Sequence, residues 1–173
     1  MDKASLRRQM KEKRAAVPEG QALFHAEYAA HLLARHPAFR AAKRIALYRP
    51  IRSEANTAPM ARLCSHKPLL YPRCGENGLE MIPVSDATRW DRGAFGIPEP
   101  AGLAETELSD VLVIVPALAI DRSGYRLGWG GGWYDRFFAE HRVFFRLGYI
   151  YDFQLADRLE REPHDIPLDD ILF

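Results

Sequence analysis

Between Asp121 and Phe138 the chain reads DRSGYRLGWGGGWYDRFF, eighteen residues with five glycines and three arginines set among aromatic rings. Glycine-rich turns let the backbone come close to an anion, and the unpaired N–H groups at the start of a following helix point towards it. Arg126 carries the planar fork that pairs with phosphate oxygens, and Arg122 and Arg136 flank the same stretch. Trp129, Trp133 and Tyr134 could stack on a flat heterocycle. Asp135 could hold a magnesium ion, which takes one or two carboxylates together with nucleotide phosphates, or could simply favour a helix N-terminus. Generic nucleotide fingerprints do not fit. GWGGGW lacks the G-K-[ST] ending of a Walker loop, and a dinucleotide pattern would need glycine where Trp133 stands.

Other chemistry-bearing residues lie far away in sequence. Lys3 and Arg7 stand four apart, so on a helix they share one face and could clamp a polyphosphate or form a solvated basic face. Glu54 follows YRPIRS at the end of an expected strand, where a carboxylate could meet a polar substrate edge or sit on a loop surface. Asp165, in the proline-bracketed EPHDIP, reads as a second metal carboxylate or as a turn-forming residue. His164 has no partner at a recognisable spacing and is assigned no role. Cys64 and Cys74 have no metal-ligand spacing. They read as two reduced thiols, with a disulfide between them the alternative.

The elements that must position these residues alternate between strand and helix. Residues 2–16 predict a helix with Leu6, Met10 and Lys13 on its apolar stripe, ended by Pro18. PEGQALFHAEYAAHLLARHP predicts a second, with Leu23, Ala26, Tyr28, Ala30, Leu32 and Leu33 facing the core and Pro37 as its stop. KRIALYRP reads as a short buried strand, and NTAPMARLCSH as a helix capped by Asn56 or Thr57. KPLLYPRC and LEMIPV read as strands joined by the turn GENG, and TRWDRGAFGIPEPAG as an ordered loop. SDVLVIVPALAI is an apolar run suited to one central strand covered on both faces. The glycine loop follows it, then a helix from near Gly132 to about His141, the strand VFFRLGYI and a tail ending in a short apolar pair. This alternation predicts an α/β sandwich around a mostly parallel sheet, with ligands beyond the carboxyl ends of the strands.

Composition narrows the classes. The 173 residues suit one domain, spanning 1–173. Lys plus Arg (24) nearly balances Asp plus Glu (23), so no overall field draws the chain to nucleic acid. No apolar run approaches the ~20 residues that span a bilayer, and the charged first residues do not form a secretory signal. The expectation is a cytoplasmic protein, not bound to membrane, and monomeric.

Taken in order, KASLR, YRPIRSEANT, FGIPEP, VPALAIDRSGYRLGWGGGWYDRFF and EPHDIPLDDI resemble the 5-formyltetrahydrofolate cyclo-ligases, also called 5,10-methenyltetrahydrofolate synthetases. The resemblance runs over essentially the whole chain and is carried by the RLGxGxGxYD pattern behind an apolar strand. It implies a three-layer α/β/α sandwich and conversion of 5-formyltetrahydrofolate, possibly polyglutamylated, to 5,10-methenyltetrahydrofolate with ATP as co-substrate and Mg2+ required. It implies ATP contacts at Lys3, Arg7, Arg126, Leu127, Gly128, Trp129, Gly130, Gly131, Gly132, Trp133 and Tyr134. The part from Trp129 to Trp133 would also line the folate site, together with Glu54 and with Arg49 through its backbone. Asp135 and Asp165 match the two magnesium aspartates, and Arg126, Lys3 and Glu54 are the implied catalytic groups. Departures are visible: Trp129 and Trp133 stand where the family often has tyrosine, and Gly131 where some relatives carry lysine. Relatives also commonly continue past Phe173 with a short polar tail. Two rival readings keep the sandwich: a nucleotide-independent phosphosugar isomerase or CoA-transferase-like enzyme, and a non-catalytic nucleotide- or folate-binding regulator.

Overall fold

A computed structural model describes residues 2–93 and 96–173. Ala94 and Phe95, the latter part of FGIPEP, lie outside the described residues. Helix α1 (Lys3–Ala15) starts where the Asp2 carboxylate accepts the N–H groups of Ala4 and Ser5, both at 2.9 Å. Helix α2 (Glu19–Arg35) buries Ala26, Ala29, Ala30 and Leu33. The predicted core positions Leu23 and Tyr28 instead lie on its outer face, about half exposed. Pro37 does end α2, but it also opens a short helix, α3 (Pro37–Ala41), because proline is well suited to a first helical turn.

Strand β1 (Arg44–Ala46) runs beside β2 (Leu69–Gly75), reached through α4 (Ala58–Leu63). Thr57 precedes α4, but its hydroxyl donates to Tyr48 O, and Asn56 Oδ1 accepts the Ala58 N–H. β2 turns back antiparallel as β3 (Gly78–Val84). The stretch expected to be a loop contains a hairpin of β4 (Trp90–Arg92) and β5 (Pro98–Pro100).

The apolar run 109–120 is not one strand. β6 (Val111–Pro116) sits at the centre of the main sheet, but β7 (Ala119–Asp121) leaves it and pairs with β8 (Arg126–Leu127) and β10 (Leu155–Ala156). The reason lies at Pro116, the last β6 residue paired with its neighbour. Beyond it the Gln154 side-chain amide donates to Ala117 O and Leu118 O, each at 2.9 Å, and draws the chain out of the ladder.

Helix α5 (Trp133–Glu140) leads to β9 (Phe145–Tyr149), and β11 (Asp170–Leu172) closes the edge. The main sheet has the order β11-β9-β6-β1-β2-β3 and is parallel except for the β2–β3 hairpin. Its two faces alternate residue by residue. Ile45, Leu112, Ile114 and Leu147 pack under α2, α3 and α4, whereas Ala46, Val111, Val113 and Val115 pack with Phe137 and Phe138 of α5. The expected α/β/α sandwich is present. A third cluster, Met10 with Leu118, Ala119, Leu127 and Leu159, seats α1 on the small sheet. Lys13, expected on the inner stripe of α1, is exposed, and Arg14 is buried in its place.

Asp121 locks the small sheet to the turn after β7 and to the segment at Leu159. Its Oδ1 accepts the N–H groups of Ser123 and Tyr125, at 2.9 and 3.1 Å, and its Oδ2 accepts Leu159 N–H at 3.0 Å. Replacing Asp121 with alanine would leave these three donors short of an acceptor. The expected loss is about 2–4 kcal/mol of stability, measured by urea unfolding. A loss under ~0.5 kcal/mol would show that the turn does not depend on it.

Candidate active site

β1 hands the chain through α4 to β2 on one side, and β6 hands it through α5 to β9 on the other. Neighbouring parallel strands whose connections part in this way leave a crevice at their carboxyl ends. The loop after β1 and the glycine loop form its walls. The cleft there encloses about 860 Å³. Lys3, Arg7, Arg49, Glu54, the run 126–135 and Asp165 all line it. Arg122 does not; it lies on the surface, 3.4 Å from Asp157.

The glycine loop bends where only glycine is comfortable, with φ of 109° at Gly130 and 61° at Gly132, the residue before α5. No side chain caps α5, so the first-turn N–H groups are not taken by a capping residue. Arg7 Nε donates to Gly128 O at 3.0 Å and ties α1 to the loop. Lys3 Nζ stands 2.7 Å from Glu162 Oε1, and the other oxygen of Glu162 lies 3.2 Å from His164 Nε2. Lys3 and Arg7, on one face of α1, thus both reach the cleft.

Arg126 is nearly enclosed, its side chain 5% exposed. One terminal nitrogen donates to Ile166 O at 2.8 Å, and the other pairs with Asp135 Oδ1 at 2.8 Å. Burial lowers the Arg126 pKa, while Asp135 opposes that shift. Asp135 Oδ1 also accepts the Ile166 N–H at 3.0 Å, and Asp165 Oδ2 accepts the Glu162 N–H at 2.7 Å. Among the described residues each aspartate keeps its other oxygen without a hydrogen bond, and no cluster of three or more metal-ligating side chains occurs. Such a pair suits a hard cation that draws its remaining ligands from phosphates and water, as magnesium does.

On the opposite wall Glu54 is folded back on its own loop. Its Oε2 accepts Ile51 N–H and its Oε1 accepts the Trp129 indole N–H, both at 3.0 Å. Burial raises the Glu54 pKa, opposed by these two donors and by Arg14. The loop is pinned by Tyr48, whose hydroxyl donates to Ala55 O and whose carbonyl accepts from Thr57, both at 2.7 Å. Arg52, at φ 53°, is the one non-glycine residue with positive φ among the described residues. Arg49 is exposed, its guanidinium 3.9 Å from the Trp90 ring centre. The cysteines are both free, and burial pushes their thiols up to about 12 at Cys64 and about 11 at Cys74, which makes poor nucleophiles of them.

The model of the 5-formyltetrahydrofolate cyclo-ligase family matches residues 1–173. The chain belongs to this family. A 5-formyltetrahydrofolate cyclo-ligase from Haemophilus influenzae is 33% identical over 145 residues, 77% of this chain and 76% of that one. The one from Escherichia coli K12 is 29% identical over 171 residues, covering 90% of this chain and 91% of its own. The NMR structure of Aquifex aeolicus 5,10-methenyltetrahydrofolate synthetase superposes with a TM-score of 0.87 at 34% identity, over 99% of this chain and 89% of that one. The Mycoplasma pneumoniae synthetase gives 0.74 at 26%, over 99% and 98%. Membership of a cyclo-ligase family makes the protein an enzyme, a ligase, and sets aside the isomerase-like and binding-only readings. No helix among the described residues is long and apolar enough to cross a membrane.

Three cleft-lining residues, Arg52, Glu162 and His164, take no role from a reading of the sequence, and neither does Arg14, buried behind Trp129 outside the cleft. Arg14 alone leaves a signal, since it follows Arg7 by two helical turns and shares its face.

A carboxyl whose folded pKa is raised destabilises the fold once it ionises. Below the ordinary glutamate range both the folded and unfolded states are protonated and the effect is absent. It grows as pH rises through that range to the raised value. Glu54→Gln is therefore expected to gain stability relative to the parent protein as pH rises from 4 to 7, read as the change in their urea-midpoint difference. A difference flat with pH would place Glu54 in an ordinary, solvated setting.

Proposed function

We propose that the chain works as one cyclo-ligase domain that closes the ring of 5-formyltetrahydrofolate, using magnesium-ATP and releasing ADP and phosphate. The observation that carries the reading is the convergence, in one cleft at the switch point, of an uncapped glycine loop, basic side chains, an aspartate pair and a buried glutamate. Lys3, Arg7, Arg126 and the glycine-loop N–H groups are phosphate-type ligands. Glu54 and the Trp129 and Trp133 rings suit a flat heterocycle with polar edges.

A formamide is a poor electrophile, and its oxygen is a poor leaving group. Transfer of the γ-phosphoryl group to the formyl oxygen would solve both problems. N10 then attacks the activated carbon, loses its proton, and phosphate departs with the formyl oxygen. No covalent enzyme nucleophile is needed, only alignment and stabilisation of the phosphoryl charge. Lys3 and Arg7 would hold the outer phosphates, and Lys3 must exchange Glu162 for them. Arg126 would supply a buried positive charge beneath the transferring group while fixing Asp135. Asp135 and Asp165 would hold magnesium through their unbonded oxygens, and the ion would neutralise phosphate charge when bound. Glu54 would orient the pterin or N10 side. The indole rings would cover the pterin face, a contact of roughly 1–3 kcal/mol by analogy with base stacking. Enzyme and substrates would meet in the cytoplasm, with the protein as a monomer.

Purified protein given 5-formyltetrahydrofolate, magnesium and ATP is expected to produce the near-ultraviolet absorbance of the methenyl product. Chelator or omission of ATP should abolish the rise. A folded protein that binds ATP without any rise would overturn the reading. Within an active protein, Arg126→Ala is expected to lower kcat by about 10²–10³-fold. Full kcat with normal nucleotide affinity would remove Arg126 from charge stabilisation.

A further inference from the structure

Arg14 lies in the last turn of α1 and is 3% exposed. Its Nη1 reaches Ala117 O only at 3.5 Å, and its Nε and Nη2 meet no acceptor among the described residues. A buried guanidinium so poorly satisfied is expensive, and an apolar side chain of similar volume would serve packing better. Its surroundings point to another use. The guanidinium carbon stands 5.3 Å from the centre of the Trp129 ring, and the same indole donates its N–H to Glu54 at 3.0 Å. Arg14 and Glu54 are buried charges of opposite sign with one aromatic ring joining them. A cation against an indole draws electron density from the ring, which makes its N–H a better donor to the carboxylate.

We propose that Arg14 is a positioning residue for ring closure: acting through the Trp129 indole, it fixes the place of the Glu54 carboxylate and keeps it an anion. The inference rests on the reading that Glu54 meets the folate. It does not require Arg14 to touch any ligand, and Arg14 is not among the residues lining the cleft.

The other groups facing this pair do not substitute for it. Tyr48, from the end of β1, and Tyr134, from α5, both feel Glu54, and burial raises both phenols, so they stay neutral. Tyr151, near Arg14, is likewise raised by burial. Arg52, on the Glu54 loop, and Lys11, on α1, also approach the Trp129 ring, at 5.0 and 4.6 Å. Arg52 is exposed and Lys11 partly so, and water screens such charges far more than that of Arg14. Arg14 opposes the burial that raises the Glu54 pKa.

The test compares Arg14→Met and Arg14→Lys with the parent protein. Titration of Glu54 is followed by carbon-13 NMR of glutamate-labelled, ligand-free protein, with Glu54→Gln identifying the signal. In the Met variant the titration is expected at higher pH, and kcat/KM for 5-formyltetrahydrofolate should fall about tenfold or more on the acid side of the profile. KM for ATP should stay within about twofold. The Lys variant, which keeps the charge, should recover most of both. If Arg14→Met does not fold, the Lys variant decides between a Glu54 titration at or near the parent position and one displaced fully upward, the second overturning the charge role. A Met variant whose Glu54 titrates as in the parent also overturns the proposal. A displaced titration with an unmoved activity profile sinks the folate role of Glu54 and leaves the hold of Arg14 on the carboxylate standing.

Discussion

Two adjacent parallel strands, β1 and β6, send the chain to opposite faces of the sheet, and the crevice between their exits is where the candidate site residues collect. The parting is forced by packing. α4 must cover the face built from Ile45, Leu112 and Ile114, and α5 the face built from Ala46, Val113 and Val115. Loops leaving such neighbours cannot run side by side, so they become walls. One wall carries Glu54 and the other the glycine run. The small sheet of β7, β8 and β10 turns the chain from the buried end of β6 into that second wall, and the Gln154 amide and the Asp121 carboxylate hold it in that path.

The cleft contains two kinds of charge. Lys3 and Arg49 are open to solvent or partly so, and can exchange partners at little cost. Arg126 in the cleft and Arg14 behind its wall are enclosed, and a buried charge that loses its partners is left uncompensated. The enclosed charges are therefore held in place, and the exposed ones are free to change partners. Glu54 belongs with the enclosed set. Burial raises its pKa, so holding it ionised costs the folded protein stability.

Much of this is readable from residue types. The position of α5 follows from Gly132 and the rings after it, and the sandwich from the alternation of elements. The walls of the cleft follow from the resemblance of RLGWGGGWYD and YRPIRSEANT to a family. The features that stay hidden have physical causes. A continuous apolar run looks the same whether it stays in one sheet or leaves it after a proline, so β7 and β6 read as a single strand. The outer-facing Leu23 and Tyr28 match the helical period almost as well as the buried Ala29, and small alanines, not large side chains, let α2 lie close to the sheet. Arg14 shares a helix face with Arg7, but a charge in a helix is ordinarily solvated, and only the tertiary contact with Trp129 reveals that this one is buried.

The bond between Lys3 and Glu162 joins residues 159 positions apart. Arg7 reaches across 121 positions to Gly128, and Asp135 across 31 to the Ile166 backbone. A chain growing from a ribosome makes α1 long before residues 162–166, so Lys3 must wait for Glu162 after Arg7 already has Gly128 within the chain. Contacts of such long separation form late and slowly. During synthesis the nascent protein can hold most of its sheet before the two ends of the chain meet at the cleft.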